Sequence, residues 1–197
     1  MSLLGLLQLS GPPLQWSELP SQHNIVNDTI AALLPSLPYL TVLPSCFEWN
    51  DISSLAFLAR MPQLREFSVD LFDYQLEAET HQRISAALAT FTEPLLNLTD
   101  LTLNSVRLSQ PQLRALLTLT PQLETLYLAN LASLCDLTPL VPVTATLRSL
   151  AICWCNHADF TADKLLLLQQ FELSLLNLEE SLGARAAVAG VAHSAEL

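Results

Sequence analysis

Apolar residues recur along this chain in the order apolar-x-x-apolar-x-apolar. They appear as Leu4, Leu7, Leu9; Leu37, Leu40, Val42; Leu64, Phe67, Val69; Leu98, Leu101, Leu103; Leu123, Leu126, Leu128; Leu147, Leu150, Ile152; and Leu173, Leu176, Leu178. Side chains of an extended segment alternate between two faces, so each triplet predicts a short strand with one buried face. Successive starts near 4, 37, 64, 98, 123, 147 and 173 are mostly about 24 to 27 residues apart, a period that marks a repeat array of about seven units. The two longer gaps read as insertions. Between triplets the spacing changes to i, i+3, i+4, as in Ile30, Leu33, Leu34 or Leu113, Leu116, Leu117, which puts apolar groups on one face of a helix. The pattern predicts one domain over residues 1–197 made of strand-helix units, with 182–197 as a C-terminal cap or tail.

Residue types at the boundaries agree with this division. Asp28, Asp51, Ser109 and Thr161 stand where an N-cap oxygen would accept a free backbone N–H, and Thr138-Pro139 pairs a cap with a first-turn proline. Pro35, Pro62 and Pro121 each lie two residues before the first leucine of a strand, where a fixed φ and a missing N–H end a helix. Two stretches carry the pattern most fully. One is Pro121-Gln122-Leu123-Glu124-Thr125-Leu126-Tyr127-Leu128. The other is Leu147-Arg148-Ser149-Leu150-Ala151-Ile152-Cys153-Trp154-Cys155, followed by Asp159, Thr161, Asp163 and Leu165.

In these residues the chain resembles leucine-rich-repeat proteins of the ribonuclease-inhibitor-like and cysteine-containing (F-box-associated) classes, over nearly its whole length. The resemblance implies an α/β solenoid, a horseshoe with a parallel sheet on its concave face and helices on its convex face. It also implies a buried, structural role for Cys155, at an inward position occupied in the other units by Pro12, Ser45, Phe72, Val106, Leu131 and Ser181. Many members of the cysteine-containing class carry an F-box; here no helical segment ahead of the first repeat is expected to supply one.

Composition narrows the function. Hydrophobic residues make up 51% of the chain and charged residues only 14%, against roughly 25% charged in an ordinary domain. Nineteen acids against eight bases leave a net charge of −11, which repels a phosphate backbone and argues against direct nucleic-acid binding. An acidic surface steers a basic protein surface toward it, and equally serves solubility. No stretch reaches the roughly 18 apolar residues that would span a bilayer, so no membrane insertion is expected. Met1 to Leu9 lacks the preceding positive charge and the cleavage site of a signal peptide. Cys46, Cys135, Cys153 and Cys155 have no framework spacing, which fits reduced thiols in an intracellular protein. A zinc site at Cys153, Cys155 and His157 would lack the Cys-x-x-Cys spacing and a second ligand pair, so no metal is expected. With four scattered glycines and no nucleophile-base constellation, neither a cofactor nor catalysis is expected.

A binding surface can still be read. Positions between the inward leucines line the concave face, among them Tyr39, Glu66, Ser68, Asp100 and Tyr127, with Asp70 and Asn104 just beyond their strands. The two tyrosines suit contact anchors, and the three acids suit a basic partner; the competing reading is a solvated face. Trp16 in the first insertion and Phe72 and Tyr74 in the second either fold back over a helix or form a contact patch. Leu6, in a first strand without a polar cap, is expected to be covered by another chain. These readings point to a scaffold or accessory subunit of a multiprotein complex. The alternative is a substrate-recognition adaptor, like a ubiquitin-ligase receptor, or an enzyme inhibitor, binding through the concave face.

Overall fold

Six of the apolar segments pair side by side in parallel. The computed structural model describes residues 24–37, 40–43, 47–52, 54–71, 78–155 and 166–178. Its strands are β1 (Asn24–Asn27), β2 (Val42–Leu43), β3 (Phe47–Asp51), β4 (Glu66–Asp70), β5 (Asp100–Asn104), β6 (Thr125–Ala129), β7 (Ser149–Cys153) and β8 (Leu175–Asn177). The order β2-β4-β5-β6-β7-β8 forms one open six-stranded sheet, and β1 pairs with β3 in a separate two-stranded parallel sheet. The fold is therefore α/β around an open parallel sheet, compatible with a solenoid-like stacking of units.

Register is uniform across the sheet. Val42, Glu66, Asp100, Thr125, Ser149 and Leu175 stand side by side. Two residues before four of these positions lie Leu64, Leu98, Leu123 and Leu147, all buried. One residue after them comes a second buried file, Leu43, Phe67, Leu101, Leu126 and Leu150, and two further on a third, Val69, Leu103, Leu128 and Ile152. The aliphatic triplet thus becomes three parallel columns, and one continuous core runs from Ala31 to Phe171.

A repeated hydrogen-bond pattern sets the start of each strand. The carbonyl of Arg65 accepts from the N–H groups of Thr99 (2.8 Å) and Asp100 (2.9 Å); that of Thr99 accepts from Glu124 and Thr125, and that of Glu124 from Arg148 and Ser149. The carbonyls of Thr41 and Arg148 do the same at the two sides of the sheet. Just before β4, β5 and β6 a tight turn closes on the first leucine, from Leu64 N–H to Met61 O (3.0 Å), Leu98 to Leu95 (3.3 Å) and Leu123 to Thr120 (3.2 Å), while Leu147 before β7 reaches one residue further back, to Val143 O (2.9 Å).

That turn corrects the expected second unit. Its counterpart runs from Leu40 N–H to Leu37 O at 3.2 Å, so the unit starts at Leu40 and not at Leu37. Leu43 is in the Phe67 column, whereas Val42 sits beside Glu66 on the opposite face. Pro35 lies inside a 3-10 turn, Leu34–Ser36. In sequence it is Pro38 that precedes Leu40 by two residues, as Pro62 precedes Leu64.

The segments crossing behind the sheet are less uniform than expected. Helices α1 (Asp28–Leu33), α2 (Ala78–Ala89) and α3 (Gln110–Thr118) appear, but other crossings use 3-10 turns at Ala56–Arg60, Thr138–Val143 and Leu166–Gln170. Pro142 inside Thr138–Val143 removes a donor and bars an α-helix there. Ser109 caps α3 as expected, its N–H bonding Gln112 Oε1 at 2.8 Å. The cap at Thr138 comes instead from Asp136, whose Oδ1 accepts from Thr138 N–H at 2.9 Å. Asp28 is the first residue of α1, and Asp51 ends β3 rather than starting a helix. The first apolar triplet, Thr161 and the tail 182–197 lie outside the described residues.

The register makes a direct prediction. Leu43→Ala or Leu126→Ala should lower the unfolding free energy by about 2–5 kcal/mol in urea titrations, while Val42→Thr should cost less than about 1 kcal/mol. The reverse order for Leu43 and Val42 would restore the start at Leu37.

Candidate protein-binding face

Alternation turns every second strand residue away from the core. Glu66, Ser68 and Asp70 on β4, Asp100, Thr102 and Asn104 on β5, and Tyr127 on β6 thus share the open face of the sheet, with Ala151 beside Tyr127 on β7. Six of the candidate residues, Glu66, Ser68, Asp70, Asp100, Asn104 and Tyr127, are brought together here. Asp70 and Asn104, expected just past their strands, are the last residues of β4 and β5. Leu6, Trp16, Tyr39, Phe72 and Tyr74 lie outside the described residues. Because the second unit is displaced by three residues, Val42 takes the lining position assigned from sequence to Tyr39.

The face is polar but not loosely solvated. Asn104 is buried, and its carboxamide works at both ends: Nδ2 donates to Asp70 Oδ1 at 2.9 Å, and Oδ1 accepts from the Ser105 hydroxyl at 3.2 Å. Asn130 Nδ2 in turn donates to Ser105 Oγ at 2.9 Å. A hydrogen-bonded ladder therefore crosses from β4 to the end of β6. Asp100 is held on the same face by the Thr99 hydroxyl, which donates to its Oδ2 at 2.7 Å.

At the end of β5, β6 and β7 the backbone takes one residue with positive φ: Ser105 (60°), Asn130 (51°) and Trp154 (52°). This left-handed step swings the chain from the sheet toward its crossing, and the following Val106, Leu131 and Cys155 turn back into the core. Backbone bonds tie the steps together, Ser105 N–H to Ala129 O and Asn130 N–H to Cys153 O, each 3.0 Å. Asn tolerates this conformation well; a bulky residue there is strained. Trp154 is that residue, and it is 44% exposed. Sequence reading missed Ser105, Asn130 and Trp154 as surface elements. The polar residues after the alternating apolar run offered a signal for the first two, but nothing local marked the tryptophan.

Charge is distributed unevenly. Glu66, Asp70 and Asp100 lie on β4 and β5, whereas the lining of β6 and β7 is Thr125, Tyr127, Ser149 and Ala151. Leu175 on β8, beside Ser149, is 53% exposed. Arg148 at the start of β7 pairs with Glu172 at 3.1 Å, an exposed contact of little energetic weight. At the opposite ends of the strands, a cleft of about 120 Å³ opens between the turns before β4 and β5, lined by Met61, Pro62, Pro94, Leu95 and Leu96 among others. It is well below the roughly 300 Å³ at which ligand pockets begin.

Cys153 and Cys155 are buried and Cys135 is exposed. Burial pushes the Cys155 thiol above its ordinary value, and its Sγ lies 3.4 Å from the Cys153 carbonyl. Among the described residues, no group of three or more His, Cys, Asp or Glu is placed to hold a metal; His157 is outside them. No helix among the described residues is long and apolar enough to cross a membrane. No protein-family model, curated protein or solved structure matches the chain.

Two outcomes follow from this geometry. Asn104→Ala, which strands the partners on either side of a buried amide, should cost about 1–3 kcal/mol, and a double-mutant cycle with Asn130→Ala should be non-additive; additive losses would mean the ladder is not one network. Because the folded state holds the Cys155 proton more tightly than the unfolded chain, the stability it contributes is complete below the ordinary thiol range and is lost as pH rises past it, above about pH 8.5. Cys155→Ala should flatten that alkaline decline in urea midpoints; an unchanged slope would place the loss elsewhere.

Proposed function

We propose that this chain is a non-catalytic protein-interaction module of the leucine-rich-repeat type, serving as a scaffold or accessory subunit in a larger assembly. The observation that carries the reading is the open face itself. Strands in constant register hold Asp70, Asn104 and Tyr127 on rigid backbone, and the side-chain ladder fixes two of them before any partner arrives. A preorganised polar surface bearing an aromatic group loses little conformational entropy on binding protein. Spacings of 24 residues from Val42 to Glu66, 25 from Asp100 to Thr125 and 24 from Thr125 to Ser149 support the repeat class, as does burial of the Val106, Leu131 and Cys155 file. In that class the open face is the concave one.

The excess of acid over base, −11 overall, favours a partner with a basic surface over a nucleic acid. The chain taken from its native source should run in native mass measurements as part of a complex. Tyr127→Ala and Asp100→Asn should each weaken that association about tenfold or more while the protein still unfolds in a single cooperative urea transition. A stable monomer at low concentration, or association indifferent to both changes, would reject the proposal.

A further inference from the structure

Resting on that reading, we infer that the open face is graded, and that it takes one extended segment of a partner protein laid across the strands, cationic at one end and apolar at the other. Three carboxylates, Glu66, Asp70 and Asp100, occupy β4 and β5. The strand residues of β6, β7 and β8 include no charged side chain, Glu124 and Arg148 standing just ahead of β6 and β7. At the far end the exposed groups are apolar, Trp154 (44%) and Leu175 (53%). Trp154 follows β7 in a strained left-handed conformation, one step along the rim from Asn130, whose N–H bonds the carbonyl of Cys153. A partner that was only basic would leave the exposed part of the Trp154 ring facing water, and one that was only apolar would desolvate the Glu66 and Asp100 carboxylates. A segment carrying both satisfies both ends.

Strand spacing sets the dimensions. Neighbouring strands lie about 4.8 Å apart, so Asp100 and Glu66 stand roughly 14 to 19 Å from Leu175 in their own row, and Trp154, two strands over from Asp100 and further along the strand direction, is roughly 19 Å from it on a diagonal. An extended chain covers about 3.3 Å per residue. The Lys or Arg of the partner should therefore stand about four to six residues from its apolar or aromatic anchor. Charge complementarity selects the sign of one end, and the exposed indole selects an aliphatic or aromatic group, or an arginine stem, at the other.

The test is selection of a random twelve-residue peptide library displayed on phage against the folded 197-residue chain. Recovered peptides should carry Lys or Arg separated by four to six positions from Leu, Phe or Trp. Trp154→Asn, which suits the left-handed backbone but removes the ring, should abolish enrichment of the apolar residue and keep that of the basic ones; Glu66→Gln with Asp100→Asn should do the reverse. Affinity of a recovered peptide should fall about tenfold in each variant. Failure to recover peptides, or recovery of acidic or uniformly basic ones, overturns the graded face. Peptides that depend on Tyr127 yet ignore Trp154 and the carboxylates overturn it too, while leaving the protein-binding role of the face intact.

Discussion

A carbonyl that accepts two hydrogen bonds ties each unit of this protein to the next. Thr41, Arg65, Thr99, Glu124 and Arg148 each present such an oxygen to two consecutive N–H groups on the neighbouring strand. In a sheet with side-chain period two, a slip of one residue would move every leucine from the core to the surface. Fixing the first pair of each strand removes that freedom, and the aliphatic columns behind the sheet then reinforce the same register. The composition of the open face is a consequence of these constraints, because whatever lies between the inward positions is presented in rows.

Those rows are supported from below and along their edge. Phe67, Leu101, Leu126 and Leu150 fill the layer under the face, while the left-handed residues at the strand ends turn the chain into its crossings at matched positions. Side chains on strands held this way are placed more exactly than on loops, which suits recognition by shape and charge. The ladder from Asn130 through Ser105 and Asn104 to Asp70 does for the rim what the columns do for the core.

Much of this was legible in the sequence, because leucines at a fixed period leave few alternatives for what is buried. Leu64, Leu98, Leu123 and Leu147 align, and the polar positions between them identified six residues of the face. The second unit was misread because two prolines compete there: Pro35 precedes Leu37 as Pro38 precedes Leu40, and only the turn from Leu37 to Leu40 decides between them. The crossings were assigned to helices on apolar spacing and on cap residues such as Thr138-Pro139. Thr138–Val143 is too short and too proline-rich for one. The pairing of β1 with β3 was missed although Asn27-Asp28 recurs as Asn50-Asp51, since a pair of polar residues carries no periodicity. Trp154 was hidden for another reason: its importance lies in a backbone angle, which no neighbouring residue type announces.

The central claim, that equivalent residues of successive units are stacked in unbroken files, is tested most directly by methyl NOE spectroscopy on the leucine-labelled protein. The account predicts cross-peaks linking Leu101 to Leu126 and Leu126 to Leu150, and a parallel series joining Leu98, Leu123 and Leu147. Cross-peaks displaced by one position, or missing between any two of these units, would contradict it.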